Sequence, residues 1–170
     1  MMVRALGRIA ATWAVLGGAA LIAIVAVTAA NVGAFALDRL ARPLGGAVGG
    51  LPGYEDFVQL AISCAALAFF PWCQHRRGHV AVDLFASRLP TAVRRALDRL
   101  WPALTALTAA FLAAMMFDGM AESRGDGNLT PVLGWPEWPF YAPGVASLAL
   151  WSLVALAQAL DPRAQEPTDG

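Results

Sequence analysis

The residues equipped to hold a ligand are gathered in one short stretch. Cys73, His75, His79 and Asp83 all fall within residues 69–89, FFPWCQHRRGHVAVDLFASRL, which also contains both histidines of the chain. Thiolate, imidazole and carboxylate are the donor types that bind transition metals. Spaced four residues apart, His75, His79 and Asp83 would share one face of a continuous helix. Gly78, and the change there from an apolar run to a mixed segment, interrupt such a helix. Pairing of His79 with Asp83, or a position of His79 against lipid headgroups, accounts for the same residues without a metal. Haem held by two histidines takes them from facing helices, whereas these two lie on one segment. No cofactor is expected. Cys64 and Cys73 would lie on one helix, separated by about 13.5 Å of rise. That distance is beyond disulfide reach, which makes them packing residues.

What flanks this stretch sets its meaning. The 170 residues are 58% hydrophobic and 14% charged, against roughly 25% charged in a soluble domain. Mean hydropathy is +0.57. All 12 basic residues are arginine, and 12 acidic ones balance them, so no basic excess points to nucleic acid. The charges bound four uncharged runs, residues 9–37, 57–74, 100–117 and 138–160. Each approaches or exceeds the ~20 residues that cross a bilayer as helix. In lipid an isolated segment must satisfy its own backbone hydrogen bonds, which selects helices. Barrel strands would be shorter and alternating. The expected fold is a single all-α integral membrane domain of four transmembrane helices, about 10–37, 55–75, 91–118 and 138–160, followed by a polar tail, 161–170. The first run could instead be a cleavable secretory signal, with Arg4 and Arg8 before it and Ala34-Phe35-Ala36 as the cleavage site. It is nearly twice as long as the usual ~15-residue upper end of a signal core, so a retained helix is expected.

Arginine placement orients the bundle. With both termini in the cytoplasm, nine arginines lie inside and three outside, as the positive-inside rule requires. Trp13, Trp72 and Trp101 then fall near the inner boundary, and Tyr54, Trp135, Trp138 and Tyr141 near the outer one. Trp151 is left in mid-span as a packing residue. Gly17-Gly18 in the first helix would let a neighbour approach closely. Between the second and third helices, Val80, Leu84, Phe85 and Leu89 form an apolar stripe with Asp83, Ser87 and Arg88 off it. This predicts an amphipathic interfacial helix over 79–89 on the cytoplasmic side, with Arg88, Arg94, Arg95 and Arg99 on lipid headgroups. No charge lies inside any of the four runs. A proton-coupled carrier would be expected to have a carboxylate there, so the chain reads as a partner to a transporter rather than its engine.

Gly78-His79-Val80-Ala81-Val82-Asp83-Leu84, with Leu89-Pro90 beyond, resembles the signature of the small permease subunit, DctQ type, of tripartite ATP-independent periplasmic (TRAP) transporters. Tyr54-Glu55 at the second helix and LGWPEWPFYAPG before the fourth are also similar, and the resemblance covers about residues 10–160. It implies a non-enzymatic scaffold in the bacterial inner membrane. That subunit packs beside a large permease subunit, which takes up an organic acid from a periplasmic substrate-binding protein using an ion gradient. On this reading Arg76, Arg77, His79 and Asp83 hold the small subunit in register with the large one. Glu55, Asp56, Glu122 and Asp126 become docking acids for the binding protein, with helix capping and loop solvation as the competing explanation. A membrane anchor for a redox enzyme, with His75 and His79 on a metal or haem, and a small autonomous transporter are the alternatives.

Overall fold

The computed structural model describes residues 2–76 and 90–160. The chain forms α1 (Met2–Ala41), α2 (Tyr54–Ala68), α3 (Phe70–His75), α4 (Thr91–Asp126) and α5 (Trp138–Leu160), with a 3-10 turn at Arg42–Leu44. Four stretches are long and apolar enough to cross a membrane: Ala5–Ala41, Tyr54–His75, Ala96–Asp126 and Trp138–Leu160. The all-α membrane architecture read from the sequence is therefore the one observed. The interfacial helix expected over 79–89 and the tail 161–170 lie outside the described residues.

Three helix boundaries differ from the expected ones. α1 runs past both ends of 10–37, and α4 continues to Asp126 rather than stopping at 118. A helix does not end where its apolar run ends if the next residues also favour helix. Beyond Leu37, Arg42 Nε donates to Asp38 Oδ2 at 2.8 Å, an i,i+4 pair across the final turn. α4 stops at Gly127, whose left-handed φ of 68° turns its N–H onto the Ser123 carbonyl. The second span is divided instead of extended. Pro71 has no N–H to offer the Leu67 carbonyl, and the chain tightens into a turn at Phe69 before α3 resumes.

α5 is the centre of the bundle. It packs along α4 on one side and against α1, α2 and α3 on the other, while α1 packs on α2 and α3. The buried apolar residues are largely alanines, among them Ala65, Ala68, Ala106, Ala109, Ala155 and Ala157. Small contact residues bring helix backbones together, the main source of helix association in lipid. Gly17 shows this directly: a Cβ there would lie 2.7 Å from Ala68 Cβ and 3.2 Å from the Ala65 carbonyl oxygen, whereas Gly18 has open space.

Side-chain hydrogen bonds tie the helices at intervals. Trp13 Nε1 donates to Ser147 Oγ at 2.8 Å, and Ser152 Oγ donates to the Ala106 carbonyl at 2.9 Å. Trp13, expected near the inner boundary, uses its indole N–H against Ser147 of α5. Trp151 does pack as expected, its ring centroid 5.0 Å from that of Phe70.

Gly17→Leu forces α1 off α2 and should lower stability by about 1–3 kcal/mol. Gly18→Leu should leave it unchanged. Thermal unfolding of the two purified variants in one detergent checks the contrast.

Candidate functional site

The helices alternate in direction, so the bundle has two ends. One, the loop end, carries the C-termini of α1 and α4 and the N-termini of α2 and α5. The other carries the starts of α1 and α4 and the ends of α3 and α5.

At the loop end, residues 127–137 fold back on themselves. Leu129 and Pro136 form an isolated antiparallel bridge, the Thr130 N–H donates to the Trp135 carbonyl at 2.9 Å, and the Glu137 N–H donates to the Asn128 carbonyl at 3.1 Å. Asp56, in the first turn of α2, holds this loop down. Its Oδ2 accepts the N–H groups of Val132 at 2.9 Å and Leu133 at 2.8 Å. Within the loop the Thr130 hydroxyl accepts the Trp135 N–H at 3.0 Å. Leu133 seats against Gly53, which precedes α2 with φ of 75° and faces the Leu133 side chain so closely that a Cβ would collide with it. Arg124 lies 4.9 Å from the Trp138 ring centroid, and the Trp135 and Phe140 rings stack at 6.3 Å, closing the loop onto α4 and α5.

The connection from α1 to α2 is anchored in the same manner. Buried Asn31 accepts the Leu51 N–H at 2.9 Å, and Asp38 Oδ1 accepts the Val48 N–H at 3.1 Å. In both loops a side chain on a spanning helix satisfies loop backbone that would otherwise lack partners near lipid.

The opposite end is joined by a glutamine pair. Gln74 Nε2 donates to Gln158 Oε1 at 2.6 Å, Gln158 Nε2 donates to the Gln74 carbonyl at 2.7 Å, and Trp151 Nε1 donates to Gln74 Oε1 at 3.2 Å. Both glutamines are buried. Beside them His75 stacks on Trp72 at 5.7 Å and packs against Gly7 of α1, leaving its Nδ1 buried without a hydrogen-bond partner among the described residues. Cys73, two residues before His75, is exposed on a different side of α3. Both cysteines are free, and the described residues contain no group of three or more metal-binding side chains.

The residues singled out from the sequence divide by end. Arg76 closes α3 with its guanidinium 5.6 Å from the Trp72 ring centroid, and Arg99 is exposed on α4. Arg94 and Arg95 belong to α4. Arg77, His79, Asp83 and Arg88 lie outside the described residues. At the loop end Glu55, Glu122 and Asp126 are exposed, whereas Asp56 is 5% exposed and fully engaged with the loop. The spacing of acids along the sequence gave no sign of that difference. Gln74 and Gln158 were also missed, although two amides in otherwise apolar spans are a signal for interhelical bonding.

A four-span bundle with its described charges at the two ends defines a small multipass membrane protein. A model of the DctQ component of tripartite ATP-independent periplasmic transporters matches residues 32–164, and the chain belongs to that family. No curated protein and no solved structure matched it.

Asp56→Ala leaves two loop N–H groups without their acceptor and should cost about 1–3 kcal/mol per unsatisfied group. Hydrogen exchange over residues 128–137 should accelerate in that variant and remain unchanged in Glu55→Ala.

Proposed function

We propose that the chain scaffolds the large permease subunit of a TRAP transporter, with its loop end in the periplasm and its termini in the cytoplasm. The large subunit then takes up an organic acid delivered by a periplasmic substrate-binding protein, using an ion gradient. Membership of the DctQ family is the observation that carries this reading. Charge placement supports it: residues 9–37, 57–74, 100–117 and 138–160 contain no Asp or Glu on which to couple transport to a cation. The excess of arginine at the opposite end supports the orientation.

Arg76, Arg77, His79 and Asp83 keep the small subunit in register with the permease, and Arg88, Arg94, Arg95 and Arg99 rest on headgroups. Glu55, Glu122 and Asp126 are the acids offered to the binding protein. Glu55 also suits the start of a helix, where the dipole favours a carboxylate. Glu122 and Asp126 lie near the end of α4, where the dipole opposes one, so helix stability does not account for them.

Purification of the tagged chain from its native membrane in mild detergent should co-elute a large polytopic permease. A haem or iron–sulfur subunit in its place would overturn the assignment. His79→Ala and Asp83→Ala should each lower permease recovery several-fold, and unchanged recovery with normal uptake would remove them from the interface.

A further inference from the structure

Beneath the clamped loop, a cleft of about 270 Å³ opens between α2, α4 and α5. Gln59, Ser63, Glu137 and Tyr141 line its polar side, and Leu60 and Met116 line its apolar side. Gln59 and Ser63 are one turn apart on the exposed face of a spanning helix. None of the Gln59, Ser63 and Glu137 side chains has a hydrogen-bond or ion-pair partner among the described residues. Polar groups on a membrane helix are costly to leave unsatisfied, so a cleft that gathers them calls for an occupant with its own polar groups.

The lining specifies that occupant. The Asp56 carboxylate at the rim is already engaged with the loop, while Glu137 contributes an unpaired one. No arginine among the described residues lines the cleft, so it suits a cation. Carboxylate, amide carbonyl and hydroxyl oxygens accept hydrogen bonds, which favours an ammonium with N–H donors over a quaternary one. The apolar wall requires an amphipathic molecule. Trp135, Trp138 and Tyr141 at this end mark headgroup depth. At 270 Å³ the space lies below the ~300–1,000 Å³ range of drug-sized sites and suits a small headgroup.

We propose that the cleft binds one phospholipid of the loop-end leaflet through a primary-amine headgroup of the ethanolamine type. Its ammonium bonds to Glu137 and Gln59, its phosphate meets the Ser63 and Tyr141 hydroxyls, and its glycerol and upper acyl atoms lie on Leu60 and Met116. This site stands independently of any permease partner.

The full chain in nanodiscs of equal phosphatidylethanolamine, phosphatidylcholine and phosphatidylglycerol tests it, with native mass spectrometry counting lipid that survives detergent washing. The wild type should retain one phosphatidylethanolamine. Glu137→Gln should reduce that preference roughly tenfold, the loss of one charge-assisted hydrogen bond. Ser63→Phe should fill the cleft and abolish retention, and Leu107→Phe, on the outward face of α4, should change nothing. Unaltered thermal unfolding in Glu137→Gln separates loss of ligand from loss of fold. Equal retention of the three headgroups, no retained lipid in the wild type, or undiminished preference in Glu137→Gln would each overturn the proposal. If wild-type nanodiscs hold no lipid but Ser63→Phe loses a co-purifying permease, the cleft belongs to a protein partner instead.

Discussion

Apolar side chains gain little by touching one another rather than lipid, so a membrane bundle needs another source of cohesion. Here it comes from close backbone approach and from a limited number of buried and part-buried hydrogen bonds. Alanines and Gly17 provide the first, and the glutamine pair, Trp13 with Ser147, and Asp56 provide the second. The positions of these bonds follow one logic. They join α5 to its neighbours or fix loop backbone to the end of a helix, and the outward faces of α1 and α4 are left to large apolar residues such as Ile22, Val25, Leu107 and Phe111.

The helix-end anchors also explain how two irregular loops stay ordered beside a bilayer. Loop backbone near hydrocarbon cannot rely on bulk water for all its partners. Asp38 and Asp56 each project an acceptor from the last or first turn of a spanning helix to meet it, and Asn31 does so from nearly three turns inside α1. Glycine at 53 has two reasons to be there, a left-handed φ of 75° and the Leu133 side chain against its Cα.

Class and span count were legible in the sequence because both depend on the spacing of charges, which one dimension records in full. The family signature was legible for a similar reason, being a contiguous string. Helix ends were less so: Asp38 and Asp118 read as boundaries, yet both lie within helices because a charge by itself does not end a helix. The roles of individual polar residues were least legible. Asp56 looked like its neighbour Glu55, and only the return of residues 130–133 from 76 positions away distinguishes them. The partner of Trp13, 134 positions distant, was hidden in the same way. Such pairings have no local signature, although the bare presence of glutamines in apolar spans was a clue to them.

The Asp56 clamp grips main chain and not side chains. Its carboxylate meets the amides of Val132 and Leu133, which any residue other than proline supplies. Of the side chains borne there, Leu133 is fixed by Gly53 and Trp135 stacks on Phe140, but Val132 points outward, 61% exposed. The loop is therefore a frame with replaceable lettering: its path is written in the backbone, while the outward side chain at 132 is free to change without refolding the bundle.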